Sequence, residues 1–289
     1  MDYTPVTLEE ADRFYKCWEK TPQRSIDYSL VNLWGWQQHY GLEWCFEDDL
    51  CWIRQTCPCD MVCWAPVGDW SKVDWEKVLV PGTRFVRVPE DLEALWRERL
   101  GDRIKSSESR GQWEYIYSRE ELVNLSGNRF HKKKNHVHSF VRAYGEPVYH
   151  PLDDQMAEDC LALQDIWCQW HDCDGSPSLN AENDAINRVL SHYDAFRNIC
   201  GGSIYVNGEI VAFTLAERLD KDNMGVHYEK GLNDIRGVYQ TINNVFCSRE
   251  CGDVAWINRA QDLDEEGLRK AKESYHPAKF LHKFTVEMA

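Results

Sequence analysis

Apolar residues recur along the chain at two spacings, every second residue in short runs and every third or fourth in longer ones. This predicts strands and helices interleaved from end to end. Thr7-Leu8-Glu9-Glu10 is a capping-box pattern that opens a helix through about Trp18. A second helix is expected over residues 27–40, stopped by Gly41. Residues 43–46 and 50–56 read as a hairpin around Asp48-Asp49, and further strands are expected at 61–65 and 83–88. Pro89 starts a helix with Leu92, Leu95, Trp96 and Leu100 on its apolar face and Gly101 as its stop. Residues 102–111 (DRIKSSESRG) carry no such pattern and predict a polar loop, followed by a strand at 113–117 and a short helix capped by Ser118.

Phe130, Val137, Val141 and Tyr144 then recur at helical spacing, with Ser126 placed to cap the start. The second half predicts a strand at 147–150 and a helix at 153–171 striped by Met156, Cys160, Leu163, Trp167 and Trp170. Another helix, at 180–197, carries Ile186, Val189, Leu190, Tyr193 and Phe196. Asn207-Gly208, between runs at 203–206 and 210–217, is the strongest two-residue hairpin signal in the chain. A strand at 224–229 and a turn lead to a helix at 237–250 with Val238, Ile242, Val245 and Phe246 on one face. A strand at 253–258, a helix at 265–274 and a final strand at 279–288 complete the order. The expected domains are residues 1–130 and 131–289.

Composition fits this picture: 43% of 289 residues are hydrophobic and 28% charged, enough for a substantial core. Thirteen Trp and thirteen Tyr are spread through both halves, so most are expected in cores or cleft walls. The N-terminus is polar and acidic, unlike a signal peptide. No apolar run approaches the ~20 residues of a membrane helix. A cytoplasmic protein without stable membrane insertion is therefore expected. The net charge of −15 opposes broad coating of polyanions and argues against DNA as a partner. One segment breaks the trend. From Ser126 to Arg142 the chain holds Arg129, Lys132, Lys133, Lys134 and Arg142, with no acidic residue. Such a run is either a solvated helix face or a site for phosphate. The twelve cysteines are expected to be reduced, buried thiols. Two clusters, Cys57/Cys59/Cys63 and Cys168/His171/Cys173, lack the paired C-x-x-C knuckles of structural zinc, so no metal is expected.

The element order of the second half, β-α-α-β-β-β-α-β-α-β, matches the GNAT acyltransferase fold, and the first half gives a similar order. Five phrases carry a more specific resemblance. They are YSLVNLW (28–34), LSGNRFHKKKNHVHSF (125–140), GGSIYVNGEIVAFTLAERL (201–219), EKGLNDIRGVYQTINNVF (229–246) and INRAQDLDEEGLRKAKESYHP (257–277). Through them the chain resembles the bacterial family named for the C-terminal domain of phosphatidylglycerol lysyltransferase, within the GNAT/Fem-type superfamily. The resemblance implies an α/β (α+β) fold of tandem GNAT-like, acyl-CoA N-acyltransferase domains with mixed sheets, the second carrying the active site. It also implies acyl or aminoacyl transfer.

Acyl transfer needs a held donor, hydrogen-bond donors at the developing oxyanion and a route for protons. The turn from Lys230 through Gly231 and Arg236 to Gly237 enters a helix N-terminus, whose free amides can cradle phosphate or simply begin a helix. Arg236-Gly237 matches part of the glycine-rich loop with which GNAT enzymes hold coenzyme A. With Lys132, Lys133 and Lys134, these residues are the expected donor site. Tyr275 stands where GNAT proteins often carry a general acid, the plainer alternative being a packed, hydrogen-bonded tyrosine. Asn258 ends a central strand. Glu229 and Glu217, at strand ends, are candidate bases or ordinary surface carboxylates. The resemblance implies an acid after the Asn-Arg pair and a glycine two residues past the Asp, where this chain has Ala260 and Asp264. The donor is expected to be acyl-CoA or aminoacyl-tRNA, with no tightly bound cofactor and tRNA a possible partner. A non-catalytic ligand-binding protein of the same fold is the alternative.

Overall fold

The computed structural model describes residues 1–47 and 49–289, so Asp48, at the tip of the first expected hairpin, lies outside the described residues. The strands are β1 (Thr4–Pro5), β2 (Glu43–Glu47), β3 (Leu50–Gln55), β4 (Val62–Gly68), β5 (Arg84–Pro89), β6 (Ile104–Glu108) and β7 (Glu114–Ser118). They continue with β8 (Val148–Pro151), β9 (Ile199–Val206), β10 (Glu209–Arg218), β11 (Asn223–Gly231), β12 (Trp256–Asn258), β13 (Lys279–Leu281) and β14 (Lys283–Met288). They form two mixed seven-stranded sheets, with orders β1-β2-β3-β4-β5-β14-β6 and β13-β7-β12-β11-β10-β9-β8. The chain divides into one compact unit of Met1–Glu114, Gln261–Glu266 and Phe280–Ala289, and another of Tyr115–Ala260 and Gly267–Lys279. The second unit thus begins ahead of residue 131, and the chain's last strand returns to the first.

In the first unit β4 and β5 run parallel but pair only at Cys63↔Phe85 and Trp64↔Val86. Its core is aromatic. Phe14 stacks on Trp18 and Trp44 at 6.1 and 5.8 Å, and Trp75 lies edge-on to Trp52 and Trp96. Ten of the thirteen tryptophans belong to this unit. The segment expected as one helix over 27–40 is three short pieces, Ile26–Tyr28, Leu30–Gly35 and Gln37–Tyr40. Ser25 and Ser29 each stand in extended conformation and accept backbone hydrogen bonds from Asp27 and Asn32, so Ser25 caps the first piece and Ser29 starts the second, while the third follows Trp36 without a side-chain cap. The expected loop at 102–111 contains β6. It is a polar edge strand of which only Ile104 is buried, so it shows no apolar alternation.

In the second unit Asn207 and Gly208, both at positive φ, turn β9 into β10 as expected. Strands β11 and β12 pair in parallel from Asn223↔Trp256 to Gly225↔Asn258, after which β11 leaves β12 and continues to Gly231 against β10. The helix Val238–Arg249 and the basic helix His131–Tyr144 share one core cluster with the sheet, made of Phe140, Ile204, Val211, Ala212, Val238 and Ile242. The basic helix starts at His131 without a side-chain cap, rather than on Ser126. The helix expected at 180–197 runs over Pro177–Leu190, because Ser176 caps it and Pro177 suits its first turn. Trp170, expected in the apolar stripe of the helix Asp154–His171, is half exposed, while Met156, Cys160, Leu163 and Trp167 are buried. Cys168 and Cys173 form a disulfide, which corrects the expectation that all cysteines are free; the other ten are. Among the described residues no helix is long and apolar enough to cross a membrane.

Candidate active site

Where β11 parts from β12, four chemically active side chains converge. Glu229 lies on β11 across from Thr214 of β10. Arg259, the first residue after β12, reaches it with a 2.9 Å bond from Nη2 to Oε1. Asn243, on the helix Val238–Arg249, donates to the other oxygen, Oε2, at 3.2 Å. The Arg259 guanidinium also lies over the Tyr275 ring, 4.8 Å from its centroid. Tyr117 packs edge-on against the same ring at 6.3 Å. From the basic helix, Lys133 sets its Nζ 3.9 Å from the centroid of that ring.

The electrostatics follow from burial. Tyr275 is almost fully enclosed, and burial pushes its phenol up, with Arg259 pulling the other way. The hydroxyl therefore stays protonated at neutral pH while a guanidinium waits to stabilise its anion. Burial lowers the Lys133 amine to about 8, assisted by Arg259 and opposed by Glu229. His136, one turn further along, is lowered by burial, by Lys133 and by Arg236.

The turn after β11 meets the basic helix directly. Gly237 has φ +80°, and a Cβ there would lie 2.3 Å from the His136 carbonyl oxygen, so the close approach of the two helices demands glycine. Arg236 is exposed, as are Lys132 and Lys134, whereas Lys133 is half-buried. Gly231 serves packing: a Cβ would lie 2.9 Å from Val238, and its carbonyl already accepts from the Tyr239 hydroxyl at 3.1 Å.

The structure thus gathers Tyr275, Glu229 and Lys133 from the expected set, and separately sets Arg236 and Gly237 beside the basic helix. Asn258 is buried. Its Oδ1 accepts from the Ala260 amide at 2.9 Å and shapes the turn that aims Arg259. Glu217 is buried rather than at the surface and pairs with His227 at 3.3 Å. Arg259, Asn243 and Lys272, whose ammonium bonds the Arg259 carbonyl, were absent from the sequence reading. Only the Asn258-Arg259 pair at a strand end hinted at the first. Among the described residues no three His, Cys, Asp or Glu side chains cluster as a metal site would.

The first unit holds a second charged group. Lys283 of β14 is fully buried and bonds Asp27 and, at 2.5 Å, Glu114. Ser25 donates to Glu114 at 2.5 Å, and Arg87 and Gln261 donate to Asp27 at 2.8 and 3.1 Å. Burial alone would push the Asp27 carboxyl up, but Lys283 and Arg87 outweigh it and hold it below the usual carboxylate range.

The family described as "Phosphatidylglycerol lysyltransferase, C-terminal" matches residues 18–287. A conserved protein of unknown function from Bacteroides thetaiotaomicron is 30% identical, with 100% of both chains covered and a TM-score of 0.88. The C-terminal domain of an Agrobacterium fabrum protein described as a lysylphosphatidylglycerol synthetase is 13% identical. It covers 96% of this chain and 91% of its own, with a TM-score of 0.67. A tandem GNAT protein from the clavulanic acid biosynthesis pathway is 8% identical over 99% of this chain and 98% of its own, with a TM-score of 0.50. The expected tandem GNAT-like fold is the fold of these neighbours.

Proposed function

We propose, for a chain that belongs to the phosphatidylglycerol lysyltransferase C-terminal family, that it moves an acyl or aminoacyl group from a phosphate-bearing donor to an amine or hydroxyl acceptor. The donor is acyl-CoA or aminoacyl-tRNA. The observation that carries this reading is the convergence of Tyr275, Arg259, Glu229 and Lys133 where β11 leaves β12, in the same unit as the Gly237 helix start and the basic helix. Tyr275 protonates the leaving thiolate or alkoxide, and Arg259 stabilises the phenolate that results. Glu229, fixed by Arg259 and Asn243, holds that guanidinium in place. The amides at Gly237, Arg236 and the exposed Lys132 and Lys134 receive the donor phosphates.

One departure supports a second reading, a protein that binds a donor without turning it over. Ala260, where the family resemblance implies an acid, adopts φ +57° directly beside Arg259. The test is calorimetry with acetyl-coenzyme A, filter binding with charged tRNA, and a product assay over a panel of amines and alcohols. Binding with product supports transfer, and the donor that binds identifies its class. Binding without product over the whole panel favours the second reading. Failure to bind either donor removes both.

A further inference from the structure

The three consecutive lysines of the basic helix do not share one environment. Lys132 and Lys134 are exposed, while Lys133 turns inward onto the Tyr275 ring. The groups facing its amine are Tyr275 beyond the helix Glu266–Glu273, Arg259 after β12, Glu229 on β11, and His136 on its own helix. Glu229, the carboxylate nearest this chemistry, already has each oxygen engaged, one by Arg259 and the other by Asn243. A carboxylate held between a guanidinium and an amide is poorly placed to take a proton from an incoming amine.

We infer that Lys133 is the general base of the transfer proposed above, an assignment that rests on that reading: its neutral amine takes the proton of the attacking acceptor. The acceptor nitrogen or oxygen bonds to the acyl carbon, and the bond from that carbon to the donor sulfur or oxygen breaks. Lys133 takes the acceptor's proton, Tyr275 gives its own to the leaving atom, and transfer from the Lys133 ammonium to the Tyr275 phenolate restores both. Burial and Arg259 make the base available, since they lower its amine to about 8. Roughly one such amine in ten is then uncharged at pH 7, against roughly one in 2,500 for a free lysine.

The test uses the full chain. In Lys133→Arg the positive charge remains but its deprotonation is lost. Turnover is expected to fall about a hundredfold or more, while donor affinity by calorimetry holds. Lys133→Ala is expected to regain turnover on addition of ethylamine. In the unsubstituted chain kcat should rise with pH through about 8, and competitive labelling with a trace amine-reactive reagent should find Lys133 inflecting there rather than near the free-lysine value of about 10.4. Lys133→Arg turning over like the unsubstituted chain, or Lys133 labelling as a free lysine does, overturns the base alone. An unsubstituted chain that transfers from neither donor overturns the transferase reading and the base with it.

Discussion

Lys283 and Lys133 are both drawn out of water, one in each unit, and their surroundings separate a group that holds a fold from one that can do chemistry. Lys283 is sealed, with carboxylates of Asp27 and Glu114 against its amine and Arg87 and Gln261 completing the hydrogen bonds of Asp27. Lys133 is only half-buried, rests on an aromatic ring rather than a carboxylate, and has a guanidinium for a neighbour. A low dielectric strengthens whatever charges face the group. Opposite charges fix the ionised state, whereas burial and a like charge, against the cation–π attraction of the ring, make the amine ready to give up its proton. The comparison also explains why the chain's last strand belongs with its first residues: β14 carries Lys283 into the first unit, where its partners are.

The sharpest way to break the comparison is to remove the sealed cation. Lys283→Met keeps similar volume but leaves two buried carboxylates facing each other, which is expected to destabilise the protein by about 3–5 kcal/mol. Urea unfolding should show a fall in midpoint of matching size, and a loss under about 1 kcal/mol, the range of exposed pairs, would show that the cluster is open to water. The pH dependence has a definite sign. The folded pKa of Asp27 is depressed, so its contribution is full above the unfolded value of about 3.9 and is lost as pH falls through the folded one.

The second unit is tested next, through its phenol. Tyr275→Phe removes one oxygen from a packed ring, so the fold and donor affinity should hold. Turnover should drop about 10²- to 10⁴-fold because the proposed role exists only in the reaction. Equal loss of affinity and rate would make Tyr275 a packing residue.

Parts of both clusters were legible in the chain and parts were not. Tyr275 and Glu229 stood out because each sits at a turn or strand end in a quoted phrase, and the lysine run because it breaks the acidic balance of the chain. Arg259 and Asn243 did not, because their bonds to Glu229 span 30 and 14 residues and depend on where β11 and β12 diverge. Lys283 was invisible: in KFTVEM it occupies what reads as an ordinary polar strand position, and only the partners 256 and 169 residues away reveal its burial. β6 was missed for the opposite reason, since an edge strand that leaves its polar side chains in water needs no apolar pattern. The strong local signals, the Asn207-Gly208 hairpin and the Gly101 helix stop, appear where expected because turn chemistry there is set by φ at single residues.

A smaller effect is expected at the donor turn. Arg236 is exposed, so its contact with phosphate competes with water. Arg236→Ala should weaken donor binding about tenfold, near the lower end for a charge-assisted bond. Unchanged affinity for both acetyl-coenzyme A and charged tRNA would move the donor away from Gly237.

The smallest effect separates the outward lysines from the inward one. Lys132 and Lys134 are exposed and outside the Tyr275 cluster, so their role in the proposal is long-range attraction of phosphate, with no part in proton transfer. Each exposed contact contributes only about 0.2–1 kcal/mol. The Lys132→Gln/Lys134→Gln double variant should therefore lose only a few fold in affinity at moderate salt. The clearer readout is the salt dependence. Each phosphate neutralised releases condensed counterion, so the slope of log affinity against log salt should shrink by about 0.7 per lysine on a single-stranded acceptor end and about 0.9 on a duplex stem. A slope for charged tRNA flattened by about 1.4–1.8 in the double variant, with turnover at saturating donor untouched, would assign the outward lysines to binding. The same flattening from Lys133→Gln alone, with no loss of turnover, would erase the distinction between the inward and outward lysines.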